Sequence, residues 1–182
     1  MTLPPLIQTG EYRYPGLCNS VRIVTGEVLD IESTSRNDSD ADLSPTEGFH
    51  TYFQISDVAN AEVTGLSGCD YINLLSANRR CHQTGNILFC EEVGRIFDNC
   101  ERVTAIEDRG YGRKIVISSQ GSRSITVWNL GKVTASKMED LGEQGWRTMA
   151  CVESANALEN QVTLKPSETH TLTVTYGVEG LA

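Results

Sequence analysis

The sequence predicts an all-β domain, and three observations support this fold class. Segments rich in Val, Ile and Thr recur at short intervals along the 182 residues, as expected of half-buried strands. Gly, Asn, Asp and Ser separate these segments, which is typical of turns and loops. The only helical candidate is a turn or two near Ala135 to Leu141, which Gly142 would end. Regularly spaced strands without helices indicate a sandwich or a barrel.

Each predicted strand is a short run of β-branched, aromatic and alternating polar residues between two turn segments. The cleanest alternation lies at 169–176, where threonines occupy one face. A polar, acidic loop from Asn37 to Ser44 joins two strands. In chain order, the predicted strands lie near 20–25, 28–35, 49–55, 61–66, 86–91, 102–107, 113–119, 123–129, 146–154, 161–165 and 169–176.

Length and charge exclude several classes of protein. A chain of 20.0 kDa is about one domain. The net charge of -9 and the pI near 4.8 argue against nucleic acid and anionic membrane as partners, since both favour basic surfaces. The sequence contains no 18-residue apolar run, and its N-terminus lacks the basic and apolar regions of a signal peptide. We therefore expect a cytoplasmic protein without a membrane partner.

The six cysteines allow two interpretations. In a secreted protein they could form three disulfides, but without a signal peptide free thiols in a reducing compartment are the better interpretation. Cys81, Cys90 and Cys100 are too widely spaced for the usual zinc pairs. The sequence indicates no metal and no organic cofactor.

Two alternating segments carry the candidate catalytic residues. In the first, Phe49, Thr51, Phe53 and Ile55 share one face of a predicted strand, and His50, Tyr52 and Gln54 share the other. In the second, Met149, Cys151 and Glu153 lie on one side of the run 146–153. A histidine and a carboxylate on two rigid strands can act as acid and base across one pocket. The alternative is a structural sheet histidine and an ordinary surface acid.

Several short motifs surround these residues, and their occurrence in this order is improbable by chance. They are Thr46-Glu47-x-x-His50-Thr51-Tyr52-Phe53, Ser56-Asp57-Val58, Val63-x-Gly65-Leu66, Asp70-Tyr71-Ile72, Glu92-Val93-Gly94-Arg95-Ile96-Phe97, Val127-Trp128-Asn129, Met138-x-Asp140, Cys151-Val152-Glu153-Ser154-Ala155 and Val162-x-Leu164-x-Pro166-x-Glu168. From about residue 14 to about residue 176, this series resembles the glucose-6-phosphate 1-epimerases. These are the hexose-6-phosphate mutarotases of the aldose 1-epimerase superfamily.

The resemblance implies a fold, a reaction and a site. The fold would be a galactose-mutarotase-like β-supersandwich with its active site in a groove on the concave sheet. The reaction would interconvert the α and β anomers of a hexose 6-phosphate by acid–base ring opening and closure, with His50 as the acid and Glu153 as the base. Tyr52 and Gln54 share the face of His50 and could line the groove. Trp128 and Asn129 could place an indole beside the sugar and an amide on a hydroxyl, the alternative being a packed tryptophan and a turn asparagine. Arg95 matches a family arginine beside the site, although a surface salt bridge is an alternative role for it.

The chain also departs from the family. Its members are substantially longer, so residues 17–182 match the C-terminal part of the pattern and residues 1–16 form a non-matching segment. We therefore expect an incomplete supersandwich that lacks N-terminal strands and their phosphate-binding arginines. Gly94 stands where the family usually has an acid, Asn73 where it has Asp, and Leu130-Gly131 where it has Pro-Trp. Strand edges left exposed would allow pairing with another chain.

These departures leave a second function open. The chain could be a catalytically inactive, truncated paralogue that binds carbohydrate weakly or acts as an interaction module. The first prediction remains an isomerase acting on a hexose phosphate or a related sugar.

Overall fold

Two antiparallel sheets packed face to face make up the computed structural model, which describes residues 6–137 and 144–181. Fifteen strands lie within these two ranges. They are β1 (Leu6–Tyr14), β2 (Leu17–Thr25), β3 (Leu29–Asn37), β4 (Glu47–Phe49), β5 (Tyr52–Gln54), β6 (Ala61–Thr64), β7 (Asp70–Asn73), β8 (Arg79–His82), β9 (Ile87–Leu88), β10 (Val93–Asp98), β11 (Thr104–Asp108), β12 (Arg113–Gln120), β13 (Ser124–Asn129), β14 (Met149–Asn156) and β15 (Thr169–Gly180). The predicted all-β class is confirmed.

The helical segments are short and connect strands. They are α1 (Gly131–Ala135) and three 3₁₀ turns at Val58–Asn60, Gly145–Thr148 and Leu158–Asn160. The predicted helical turn near Ala135 to Leu141 lies mostly outside the described residues, as does the motif Met138-x-Asp140. Within the described ranges, no helix has the length and apolarity needed to cross a bilayer.

The eight-stranded sheet has the order β1-β2-β3-β15-β12-β11-β6-β9. The hairpin of β1 and β2 lies at one edge, with Tyr14 paired to Leu17 across the turn. The long strand β15 pairs with β3 on one side and β12 on the other, so it joins the two halves of the sheet. This sheet packs against the inner face of the seven-stranded sheet.

The seven-stranded sheet has the order β4-β14-β13-β10-β7-β8, and β5 pairs with β14 beyond the end of β4. One strand edge of β14 is therefore covered by two short strands, with His50 and Thr51 between them. This interruption differs from the continuous strand that the sequence predicts at 49–55. Thr51 donates its backbone N–H to Phe49 O over 3.0 Å, a local turn that takes the place of ladder pairing with β14.

The core fills the space between the sheets. Phe97 is its largest fully buried side chain, and Ile125, Val127, Ala150 and Val152 of the neighbouring strands line the same face. The eight-stranded sheet contributes a matching set of buried residues, namely Val63, Ile106, Ile115, Ile117, Leu172, Val174 and Tyr176. Alternate residues of every central strand therefore point between the layers.

Several strands differ from the sequence prediction. β1, β7, β8 and β10 were not predicted, because their charged and polar residues hide the apolar alternation. The predicted strand at 161–165 is reduced to one bridge between Leu43 and Leu164. The first residues of the predicted strand 146–154 form a 3₁₀ turn instead.

Candidate active site

Strand β14 presents two chemically different faces. Ala150 and Val152 belong to the core between the sheets. Because side chains alternate along a strand, Cys151 and Glu153 point to the opposite side, away from the eight-stranded sheet. We call this side the outer face of the seven-stranded sheet. The cross-strand partners of these two residues, Trp128 and Thr126, lie on the same outer face.

His50 meets Glu153 where β4 ends and β5 begins. Both short strands pair with β14, which brings the intervening residues beside Glu153. The distance from His50 Nδ1 to Glu153 Oε1 is 3.3 Å. The His50 side chain is 52% exposed and the Glu153 side chain 14%, so the histidine lies toward solvent and the carboxylate beneath it. The two side chains that the sequence selected as acid and base are thus in contact.

Aromatic rings surround the histidine. His50 stacks on Tyr52 with ring centroids 4.7 Å apart and an interplanar angle of 9°. Trp128 meets both rings edge-on, at 5.6 Å from His50 and 6.2 Å from Tyr52. These contacts limit the rotation of the imidazole and leave an open, partly apolar surface beside it.

Burial sets the electrostatics of the pair. Removal from water raises the pKa of the Glu153 carboxyl above its ordinary value, and the charge of a protonated His50 opposes that rise. Beside it, burial raises the pKa of the Cys151 thiol to about 12, with a smaller contribution from Glu153. Glu153 is therefore a better proton acceptor than an exposed glutamate, and Cys151 remains a neutral thiol.

A contact from the eight-stranded sheet holds the interruption between β4 and β5. Thr51 Oγ1 and the Tyr176 hydroxyl lie 2.7 Å apart, and Tyr176 also packs edge-on against Phe53 at 5.5 Å. The neighbours of His50 are thereby fixed on the inner side while its imidazole points outward. The sequence did not identify Tyr176 in this role, because the contact spans 125 positions.

Among residues 6–137 and 144–181, one group of side chains could hold a metal ion. The ligand atoms of His50, Cys151 and Glu153 all lie within 4.8 Å of one another. Nitrogen, sulfur and carboxylate ligands are those that zinc accepts. The sequence singled out His50 and Glu153 but did not identify Cys151 as a ligand.

Two residues predicted to bind substrate lie on the other side of the sheet. Arg95 pairs with Val127, a core residue, so its side chain starts from the inner face. Its Nη1 donates to Gln83 Oε1 over 2.5 Å, and its guanidinium carbon lies 5.0 Å from the centre of the Tyr71 ring. Arg95 does not share the outer face with Glu153, so the prediction that it contacts a sugar there is not supported.

Asn129 is fully buried. Its Nδ2 donates to Trp146 O over 2.8 Å and to Met149 O over 2.7 Å, and its Oδ1 accepts from Gly131 N over 2.8 Å. Both Nδ2 protons are thus engaged within the chain, and the buried Oδ1 already accepts one hydrogen bond. This geometry makes Asn129 a structural residue that ties the end of β13 to the start of β14.

Gln54, the remaining predicted residue, and Gly94 complete the outer face. Gln54 pairs with Met149 and is exposed, so it lies beyond Tyr52 at the margin of the group. Gly94 pairs with Trp128 and lies on the outer face, where a Cβ would meet Leu74 at 3.4 Å. The position of the missing family acid therefore adjoins the aromatic group.

The chain belongs to the aldose 1-epimerase family, whose sequence model matches residues 8–177. A protein of Cenchrus ciliaris with the provisional name glucose-6-phosphate 1-epimerase is 34% identical over 153 residues, which cover 81% of this chain and 46% of that protein. A protein of the same provisional name from Escherichia coli K12 is 28% identical over 133 residues, covering 73% and 45% of the two chains. The chain thus spans about half the length of these curated relatives.

Solved structures agree on the fold. A provisionally named mutarotase from Salmonella typhimurium superimposes with a TM-score of 0.87 at 22% identity, over 97% of this chain and 61% of that one. A provisionally named aldose 1-epimerase from Escherichia coli K12 gives a TM-score of 0.76 at 16% identity, over 98% and 66%. The described sheets therefore have the galactose-mutarotase-like architecture that the sequence resemblance implies.

Proposed function

We propose that this chain interconverts the α and β anomers of a hexose 6-phosphate. The observation that carries the proposal is the 3.3 Å contact between His50 Nδ1 and Glu153 Oε1 on an open sheet face. An acid and a base that face one site are the groups that anomer interconversion requires. The family supplies the reaction class.

The reaction needs two proton movements in each direction. Glu153 removes the proton from the C1 hydroxyl while His50 protonates the ring oxygen, and the C1–O5 bond breaks to give the open-chain aldehyde. Rotation about C1–C2 exposes the other face of the carbonyl. The C5 hydroxyl then attacks C1, His50 recovers its proton from that oxygen, and Glu153 returns a proton to the carbonyl oxygen. The product is the other anomer of the same sugar, and both side chains return to their starting protonation states.

The positions of the two groups suit these roles. Glu153 is mostly covered, and the desolvation that raises its pKa makes it a stronger base. The His50 side chain is 52% exposed, so its imidazole can reach the ring oxygen of a sugar bound on the outer face. Tyr52 and Trp128 supply apolar surface beside the imidazole, against which the CH face of a sugar ring can pack.

The names of the relatives support a hexose phosphate as the proposed substrate. The two curated relatives are provisionally named for glucose 6-phosphate. Gly94 removes one carboxylate that the resemblance would place near the sugar hydroxyls, so we expect weak substrate binding. A lost hydrogen bond to a charged group costs about 1.5–3 kcal/mol, which corresponds to about tenfold or more in affinity.

The proposal is tested by following anomerisation of freshly dissolved α-glucose 6-phosphate with polarimetry. We expect the full chain to accelerate equilibration, and His50→Gln and Glu153→Gln each to reduce the catalysed rate by about 10²–10⁴-fold. Matched controls are His82→Gln, an exposed histidine paired with Asp70, and Glu107→Gln in the eight-stranded sheet. Both controls should retain the wild-type rate.

Two outcomes would contradict the assignment. Full activity in folded His50→Gln or Glu153→Gln would remove the corresponding residue from the chemistry. No acceleration by a folded wild-type chain at millimolar substrate would reject the proposal and favour the second candidate, a binding or interaction module.

Exposed strand edges favour that second candidate. β1 pairs only with β2, and β8 pairs only with β7, within the described residues. Unpaired edges can accept a strand from another chain, although the arginines of β8 oppose such pairing there. Size-exclusion chromatography with light scattering distinguishes the two cases, since an interaction module should self-associate or capture a longer relative.

A further inference from the structure

Two cysteine thiols face each other at one end of the seven-stranded sheet. Cys69 precedes β7 and Cys100 follows β10, and these two strands are direct neighbours. The Cys69 and Cys100 sulfur atoms lie 3.0 Å apart, and both residues are free thiols. The two residues are separated by 31 positions, so the contact is a product of the sheet and not of local sequence.

The pair is reachable from solvent. Cys69 is partly exposed, whereas Cys100 is buried with 5% of its surface accessible. Both line an open cleft of about 510 Å³ whose wall also contains Arg80, Asp98 and Arg102. Asp70 and Glu101 also line the cleft, and Arg80 is paired with Asp98 at 2.7 Å. The wall therefore has no excess of positive charge, and a small disulfide reaches the thiols through the opening alone.

We propose that Cys69 and Cys100 form a reversible disulfide on reaction with a low-molecular-weight disulfide such as oxidised glutathione. The partly exposed Cys69 loses its proton and attacks one sulfur of the oxidant, forming a mixed disulfide and releasing one thiolate. Cys100 then loses its proton and attacks the Cys69 sulfur, releasing the second thiolate. The two released thiolates take up the two protons. Two protein thiols are oxidised to one disulfide, and one oxidant molecule is reduced to two thiols.

The order of attack follows from the environment of the two sulfurs. Burial, together with Cys69 itself, raises the pKa of Cys100 to about 12, so Cys100 is a poor first nucleophile in the folded chain. The Cys100 sulfur lies 3.0 Å from the Cys69 sulfur that would carry the mixed disulfide. A second attack of this kind is intramolecular and therefore fast.

The disulfide would fasten β10 to the turn before β7. β10 pairs with β13, which in turn pairs with the strand that carries Glu153. The bond closes a 31-residue loop and should raise the thermal midpoint of unfolding, because it restricts the unfolded chain. The expected change is in stability and not in the acid–base pair, so the inference does not depend on the proposed activity.

The test incubates the folded 182-residue chain with stepped ratios of oxidised to reduced glutathione. Peptide mapping by mass spectrometry should find one major cross-link, Cys69 to Cys100, with the loss of two free thiols per chain. The unfolding midpoint should rise by several degrees, and excess reduced glutathione should reverse both changes.

Serine variants provide the controls. Cys69→Ser and Cys100→Ser should each abolish the cross-link and the shift in the midpoint, whereas Cys81→Ser, a partly buried cysteine on β8, should retain both. A stable glutathione adduct on Cys69 without the cross-link would overturn the proposal. So would cross-links spread among several cysteine pairs. The mapping uses the wild-type chain, so the result does not depend on the variants folding.

Discussion

Replacing Asn129 by alanine separates a structural role from a binding role at this position. Asn129 is fully buried and joins three segments through its amide: it donates to the backbone oxygens of Trp146 and Met149 and accepts from Gly131 N. Gly131 has a φ of +62°, and a Cβ there would lie 2.8 Å from Glu92 N, so the chain depends on this glycine to turn after β13. The amide of Asn129 holds that turn.

The magnitude follows from the three hydrogen bonds. Each buried hydrogen bond contributes about 1 kcal/mol net, and leaving the backbone partners unsatisfied adds to the loss. We therefore expect Asn129→Ala to lower the free energy of unfolding by about 3 kcal/mol or more. For a chain of this length, 3 kcal/mol corresponds to a fall of roughly 6–12 °C in the unfolding midpoint.

Calorimetry or circular dichroism melts measure this change. Asn86→Ala is the matched control, because the Asn86 amide makes an exposed bond of 3.2 Å to Glu62 and should contribute less than about 0.5 kcal/mol. Where Asn129→Ala remains folded, the KM for the sugar should stay within a few fold of wild type. An unchanged melting temperature together with a large rise in KM would refute this reasoning and return Asn129 to the binding surface.

Four further predictions concern the site and the core. The anomerisation rate should rise as the pH passes through the pKa of Glu153, because the base acts in its deprotonated form. His50→Gln removes the positive charge that lowers the pKa of Glu153. The ¹³C titration of Glu153 in that variant should therefore shift to higher pH. Gly94→Asp should lower the KM by about tenfold, because it restores a carboxylate beside the aromatic group. Zinc should inhibit anomerisation by occupying the acid and the base, and Cys151→Ser should weaken that inhibition in a dose–response assay. Phe97→Ala should cost about 3–5 kcal/mol in denaturant unfolding.

Each of these has a matched comparison. Gly94→Asn tests whether charge or volume alters the KM, and an equal effect of both substitutions would argue against the carboxylate. A Glu153 titration that moves to lower pH in His50→Gln would reverse the assigned coupling. Equal zinc sensitivity of wild type and Cys151→Ser would remove the thiol from the ligand set. Leu88→Ala, at a side chain 55% exposed, should cost far less than Phe97→Ala.

Local pattern was sufficient for part of the site. The alternation around His50 placed Phe53 and Ile55 on one face and Tyr52 on the other, and the structure turns the first face to the core, because the side-chain period of a strand is read directly from sequence. The same reasoning placed Glu153 opposite Val152. It could not show that β4 and β5 both pair with β14, because no local signal specifies pairing partners a hundred residues apart.

Motif order was a poorer guide to side-chain direction. Arg95 and Asn129 stand within motifs that match the family, yet both side chains belong to the inner face of the sheet. Each immediately neighbours an outer-face residue, Gly94 or Trp128, and a step of one residue along a strand reverses the face. A motif therefore locates a strand without deciding which of its members reach the substrate.

By itself, the sequence determined the all-β class, the family and the identity of the acid–base candidates, because strand periodicity and ordered motifs are properties of the chain. Only the tertiary structure decided that His50 Nδ1 lies 3.3 Å from Glu153 Oε1 and that the Cys69 and Cys100 sulfurs meet at 3.0 Å. It also decided that the Tyr176 hydroxyl makes a hydrogen bond with Thr51 Oγ1 and that Asn129 is buried. These contacts depend on which strands pair and in which register, and that choice is made by burying the whole core at once.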